Sequence, residues 1–349
     1  MILANTQQSF GFALLAIVLI GTVIYIVAKI RAGRPEVGSE IELAPNRKEY
    51  LDDEELEGRK LNAALFSAAG LLAIIAVRKG LIPLVDGLFQ PGEQWLSAIR
   101  RVGIFVAATA AYWAYVRWFE KRRATELPLR LKPLLLGAAA GVGLVGIPIA
   151  LLFAFGAYEA LLFRGFSPAL VGVGGLIVVA AALEELVYRA LLFRLTERAW
   201  GTVAALVVQA LLFAAQHLEN LSQGSATDVL MLLVSVSVLG LLWAGIFVLT
   251  RNLWAGVANH AAWNFTILLS GVPLSGIEDW RALAPLESRY AGPDWLTGGQ
   301  FGPESSLLVI VCVTIAVVWL LRTAHRRGRF SSAFPSAPGR RLEKESGKA

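Results

Sequence analysis

The chain has 349 residues, 56% of them hydrophobic and 17% charged, with a mean hydropathy of +0.61. Ordinary soluble domains hold about 45–50% apolar and about 25% charged residues, so this composition excludes a soluble globular protein and points to a polytopic α-helical membrane protein. The net charge of +6 would suit nucleic acid, but the Lys and Arg fall between and after the apolar runs, as membrane orientation requires, and nucleic acid is set aside as a partner.

The apolar runs predict nine spans. The first is Phe10–Ala28, read as a retained anchor because no basic stretch precedes it and no cleavage site follows. A charged loop, Lys29–Lys60, carries the acidic run Asp52-Asp53-Glu54-Glu55 and leads to a second span at Leu61–Val77. Leu81–Ser97, with Pro83, Pro91 and Trp95, reads as an interfacial connector, and a third span, Val102–Trp118, stops at charged residues. The fourth, Pro133–Phe155, contains Gly137-x-x-x-Gly141, a small-residue step that lets helices approach closely in lipid.

The fifth span, Pro168–Phe193, holds Glu184, Glu185 and Arg189 inside an otherwise apolar run. Each such charge costs about 2.5–3.5 kcal/mol at mid-span on insertion scales, so these side chains are expected to face a polar cavity. The sixth span is Thr202–His217, the seventh Val229–Leu249 and the eighth Leu253–Leu269. A polar, partly acidic loop, Val272–Glu304, precedes the ninth span, Leu307–Leu321, and a basic tail from His325. Cys312, the lone cysteine, lies in the ninth span and excludes an intramolecular disulfide or a cysteine-rich zinc site. With nine spans, most of the 32 Lys and Arg fall on one side; the other side keeps only Arg78, Lys79, Arg100, Arg101, Arg164, Arg281 and Arg289. The N-terminus is then outside and the C-terminus cytoplasmic, in a multi-pass protein of the cell membrane.

Three four-residue steps carry the chemistry: Glu185 to Arg189, Phe213 to His217, and His260 to Asn264. Residues four apart share a helix face. Glu185 can therefore pair with Arg189, which leaves Glu184 free, while His260 and Asn264 point into one space. The fifth and sixth spans form an antiparallel hairpin turning at Trp200-Gly201. Glu184 and His217 are nearly equidistant from that turn, about 25 Å at 1.5 Å per residue, so a carboxylate and an imidazole sit at one depth as a possible acid–base pair. No His-Glu-x-x-His is present, the rhomboid-type serine motif is missing, and no pair of intramembrane aspartates occurs.

In this order, Glu184-Glu185-x-x-x-Arg189, Phe213-x-x-x-His217 and His260-x-x-x-Asn264 resemble the three motifs of the CPBP family, the type II CaaX prenyl proteases and related bacterial proteins, some tied to bacteriocin processing or self-immunity. The resemblance covers about residues 168–269. It implies an intramembrane endopeptidase acting on a membrane-associated or lipidated protein or peptide, near the cytoplasmic face or within the bilayer. It further implies that Glu184, helped by His217, activates water and that His260 and Asn264 stabilise the oxyanion, with Glu185, Arg189 and Phe213 supporting. A mechanism without metal is favoured. Zinc on Glu184, His217 and His260 stays open, as does a catalytically silent scaffold or a proton-coupled transporter on the same fold. The chain divides into an N-terminal membrane region (1–130), a catalytic helical core (131–272), and an outer loop, last span and disordered basic tail (273–349).

Overall fold

The computed structural model describes residues 94–331, apart from 119, 121, 222, 223, 278 and 279. The first two expected spans, the charged loop between them, most of the following connector and the end of the basic tail lie outside the described residues.

The described chain is mostly helical. Helix α1 is Gln94–Trp118 and α2 is Leu131–Ala154. Strand β1, Tyr158–Phe163, leads to α3, Ala169–Glu185. Helix α3 continues without a break into a π-helical stretch, Leu186–Phe193. Next comes α4, Arg194–Gln216, closed by a 3₁₀ turn at His217–Asn220. Helix α5 is Ala226–Thr250 and α6 is Leu253–Leu269. Strand β2, Leu286–Tyr290, the short α7, Asp294–Thr297, and α8, Leu307–Arg326, complete the chain. Four helical segments are long and apolar enough to cross a membrane: Leu131–Ala154, Ala169–Asn220, Ala226–Thr250 and Leu307–Arg326.

The segment Ala169–Asn220 is not one rod. Gly201 has φ 83° and ψ 169°, a conformation that costs glycine nothing, and the chain reverses there. Tyr188, 13 residues before Gly201, packs its ring 5.0 Å from that of Phe213, 12 residues after it. The antiparallel hairpin expected at Trp200-Gly201 is therefore present. The sequence predicts a regular helix over the π-helical stretch, and eight residues are too few for the wider π turn to show in the hydrophobic periodicity. Its Ala190 carbonyl accepts from Tyr112 Oη of α1 at 3.0 Å and from Arg194 Nε at 2.9 Å, so side chains satisfy a group that a regular helix would pair internally.

Helix α5 is apolar all round and buried on nearly every side, as such a helix must be. Helices α4, α6 and α8 pack against it; α2 and α3 pack on α6, and α1 on α3. The Gly137-x-x-x-Gly141 step serves the α2–α6 contact. A Cβ at Gly137 would come within 2.4 Å of the Ala255 carbonyl oxygen, and one at Gly141 within 2.3 Å of that of Asn259. Asn259 fastens the contact: its Nδ2 donates to Gly137 O (3.1 Å) and its Oδ1 accepts from Trp243 Nε1 of α5 (3.0 Å).

The all-α expectation needs one amendment. Strands β1 and β2 pair antiparallel, Tyr158 opposite Tyr290 and Phe163 opposite Leu286, with an irregularity between Ala160 and Leu162. This two-stranded pair ties the segment between α2 and α3 to the polar loop after α6, and together they form a cap over one end of the bundle. Tyr158 Oη donates to Thr297 O (2.5 Å), and Ser288 Oγ to Ser270 O (2.6 Å). At the opposite end, Arg194 holds Glu120 with two hydrogen bonds, at 2.7 and 2.5 Å, and Arg251 holds Glu197 the same way, at 2.5 and 2.8 Å.

Candidate active site

One cavity of about 270 Å³ opens between α3, α4, α5, α6 and the cap, and Glu184, Phe213, His217, His260 and Asn264 all line it. The two adjacent glutamates have different surroundings. Glu185 is fully buried. Its Oε1 lies 3.1 Å from Arg189 Nη1 and accepts from His260 Nδ1, also at 3.1 Å. Glu184 keeps 23% of its side chain exposed, and its Oε2 lies 3.8 Å from His260 Nε2. The separation expected from the four-residue step, one paired and one cavity-facing carboxylate, is what the helix geometry produces.

Arg189 is enclosed. Its Nη2 donates to Gly240 O of α5 at 3.2 Å, and its guanidinium lies over the rings of Phe213 (4.7 Å), Trp243 (5.5 Å) and Tyr188 (5.9 Å). Cation–π attraction strengthens when the cation is desolvated, which compensates part of the cost of burying it. Phe213 is the hub of this cage: besides Arg189 and Tyr188 it touches the rings of His217 (4.7 Å) and Trp243 (5.6 Å). It does more than fill space, since it orients both the guanidinium and an imidazole.

His217 begins the 3₁₀ turn that ends α4. Its Nδ1 lies 2.8 Å from Phe213 O. A carbonyl only accepts, so Nδ1 carries the proton and Nε2 of the neutral ring keeps its lone pair. His260 is held differently. Its ring stacks on Trp243 with centroids 3.7 Å apart and planes 19° apart, and Nδ1 donates to Glu185. Asn264, one turn further along α6, has a buried Oδ1 without a hydrogen-bond partner. Helix α6 thus uses two stripes: Ala255 and Asn259 face α2, while Gly256 faces Glu185 and His260 and Asn264 face the cavity.

Sequence reasoning missed three contributors. Trp243, the stacking platform of His260, sits in the uninterrupted apolar stretch 238–249 of α5, where nothing marks one face as facing a site. Ser275 and Glu304 come from the loop after α6, where no periodicity signals what faces inward. Ser275 Oγ donates to Glu304 Oε2 at 2.6 Å, and Asn220 Nδ2, in the turn begun by His217, donates to Ser275 O at 2.9 Å. Burial pushes the Glu304 carboxyl above the ordinary carboxylate range, against the opposing effects of the Ser275 hydrogen bond and the nearby histidines.

His260 Nδ1 is committed to Glu185 and His217 Nδ1 to Phe213, which leaves the two Nε2 atoms as the free ring nitrogens, an arrangement that suits metal-binding imidazoles as well as acid–base ones. Among the described residues no three His, Cys, Asp or Glu side chains are grouped closely enough to hold a metal ion.

Residues 166–266 match the family model described as type II CAAX prenyl endopeptidase, Rce1-like. This is the stretch that carries the three motifs, and it agrees with the CPBP resemblance. No curated protein and no solved structure matches the chain. The apolar helices and the match support a multi-pass membrane protein in which residues 166–266 are similar to that family.

Proposed function

We propose that the chain is an intramembrane endopeptidase of the CAAX-protease type that hydrolyses a peptide bond by carboxylate-activated water. The observation that carries this is the convergence of Glu184, His217, His260 and Asn264, from three separate helices, on one cavity. Glu184 takes a proton from water as the oxygen attacks the scissile carbonyl, and the Nε2 lone pair of His217 helps orient that water. The Asn264 amide donates to the oxyanion, joined by His260 Nε2 when the ring carries both protons between Glu185 and Glu184. Glu185 and Arg189 hold His260, with Phe213 and Trp243 fixing the plane of its ring. The proposed mechanism uses no metal.

The substrate is a membrane-associated protein or lipidated peptide, reached in a bacterial inner membrane that the chain crosses nine times with its C-terminus in the cytoplasm. The core at 131–272 forms the catalytic unit and the outer loop its cover. In this orientation Arg122, Arg194, Arg251 and Arg329 mark the cytoplasmic end, as positive residues do. The cavity then lies beneath the extracytoplasmic cap. Cleavage is accordingly placed within the bilayer or at its outer side, a revision of the cytoplasmic-face expectation that follows from Ser275, Phe301 and Glu304 forming one wall.

The test is cleavage of a prenylated peptide and of a quenched-fluorescent membrane peptide by the full chain in detergent. Glu184→Gln should abolish turnover, and a chelator should leave the wild type unchanged. Full activity in Glu184→Gln would refute the assigned base. Loss with chelator and recovery with zinc would reinstate the metal mechanism.

A further inference from the structure

Peptide hydrolysis moves two protons: one leaves the attacking water, and one must reach the departing nitrogen. The cavity holds two carboxyl side chains that do not touch the same partners. Glu184 comes from α3, is partly exposed and faces His260. Glu304 comes from the cap, is only 3% exposed and hydrogen-bonds Ser275. When two titratable groups in one site sit in environments that separate their proton affinities, the more solvated carboxylate serves as base and the buried one as acid.

Ser275 supports the assignment independently. It has φ 50°, a left-handed backbone that a non-glycine residue rarely adopts. Such positions persist where the surroundings over-determine them, and they cluster at active sites. Here three interactions meet at that residue. Its hydroxyl donates to Glu304 (2.6 Å), its carbonyl accepts from Asn220 (2.9 Å), and the neighbouring Gly276 N–H donates to Phe301 O (3.0 Å). Phe301 in turn lies edge-on to His217, with ring centroids 6.4 Å apart. The cap is therefore braced to the turn that presents His217, and Glu304 is braced to the cap.

We propose that Glu304 is a further catalytic residue of this site, the general acid that protonates the leaving nitrogen. The assignment rests on the endopeptidase reading above. As the C–N bond breaks, the neutral Glu304 carboxyl gives its proton to nitrogen and becomes a carboxylate. The carbonyl carbon keeps the oxygen delivered from water, and Glu184 holds the proton that water lost. Transfer of that proton from Glu184 to Glu304, through water or the histidines, restores both groups. The other titratable groups facing Glu304 across the cavity are Glu184 on α3, His217 at the end of α4 and His260 on α6.

The experiment uses the full chain in detergent and two probes: a quenched-fluorescent prenylated peptide, and the same peptide with a nitrophenyl ester at the scissile position. The nitrophenolate leaves as a stable anion and needs no proton. Glu304→Gln keeps the volume and can still accept from Ser275. It should lower kcat on the peptide by about 10²–10⁴-fold, leave KM nearly unchanged and remove the alkaline limb of the pH profile. Its loss on the nitrophenyl ester should be under about tenfold. Equal losses on both probes with the pH profile retained would mean a structural role and overturn the assignment, as would wild-type kcat on the peptide. Infrared difference spectra of wild type against Glu304→Gln give a readout without substrate. A neutral carboxylic-acid band at pH 7 that the variant lacks is expected, and its absence would also overturn the proposal. Absence of turnover of either probe by the wild type would instead sink the endopeptidase reading, so the two failures are distinguishable.

Discussion

Glu185 and Arg189 are both fully buried and 3.1 Å apart, so each is tolerable only in the presence of the other. Removing one partner of a buried pair leaves the other charge uncompensated and costs about 3–5 kcal/mol. Arg189→Met should lose about that much in reversible unfolding in detergent, and Glu185→Gln with Arg189→Met should recover a large part of it. A double variant as unstable as the single one would contradict the pairing. Glu126 provides a second residue-level test at the opposite end of the bundle. Burial works against its ionisation, but hydrogen bonds from Arg122 and Tyr112 prevail and hold its carboxyl below the ordinary range. A carboxylate with a lowered folded-state pKa contributes stability that is present above the unfolded pKa and lost as pH falls through the folded one. The stability difference between wild type and Glu126→Gln should therefore close on acidification. A difference that is constant from neutral to acid pH would exclude the ionic contribution. Of these residues, the Glu185–Arg189 pair was legible from spacing alone. The Glu126 cluster was not, because Arg194 and Ala190 reach it from 64 or more residues away along the chain.

At the level of elements, helix α6 couples scaffold to site. It can approach α2 only because Gly137 and Gly141 present no side chain to the Ala255 and Asn259 carbonyls. Gly141→Ala forces the two backbones apart, and overpacking of this kind costs about 1–3 kcal/mol. The shift should also move His260, one position beyond Asn259, so activity should fall further than stability alone explains. Unchanged turnover in a destabilised Gly141→Ala would show that α6 does not transmit the packing. Gly256 makes the same argument from the site side, since a Cβ there would come within 2.8 Å of Glu185 Oε2. The Gly-x-x-x-Gly step was legible as close packing. Its partner was not, because any helix with small or carbonyl-exposing turns fits such a groove, and which one does so is settled by the whole bundle.

For the molecule as a whole, the proposed orientation makes a direct prediction. In a Cys312→Ser background, a membrane-impermeant thiol reagent added to intact cells should label Asp294→Cys in the cap and spare Arg327→Cys beyond α8. The reverse pattern would invert the protein and return the cavity to the cytoplasmic side. What the chain determined by itself is local: membrane class from composition, helix ends from polar breaks, and the faces shared by residues four apart. Those are properties of a few consecutive residues, and a 3.6-residue repeat exposes them. Only the packed structure decided that three helices bring their polar faces to one cavity, that Trp243 carries His260, and that a cap residue, Glu304, closes the far wall. These contacts join segments tens of residues apart, and no short-range pattern encodes them. They arise because every buried polar group must find its partner wherever the bundle happens to supply one.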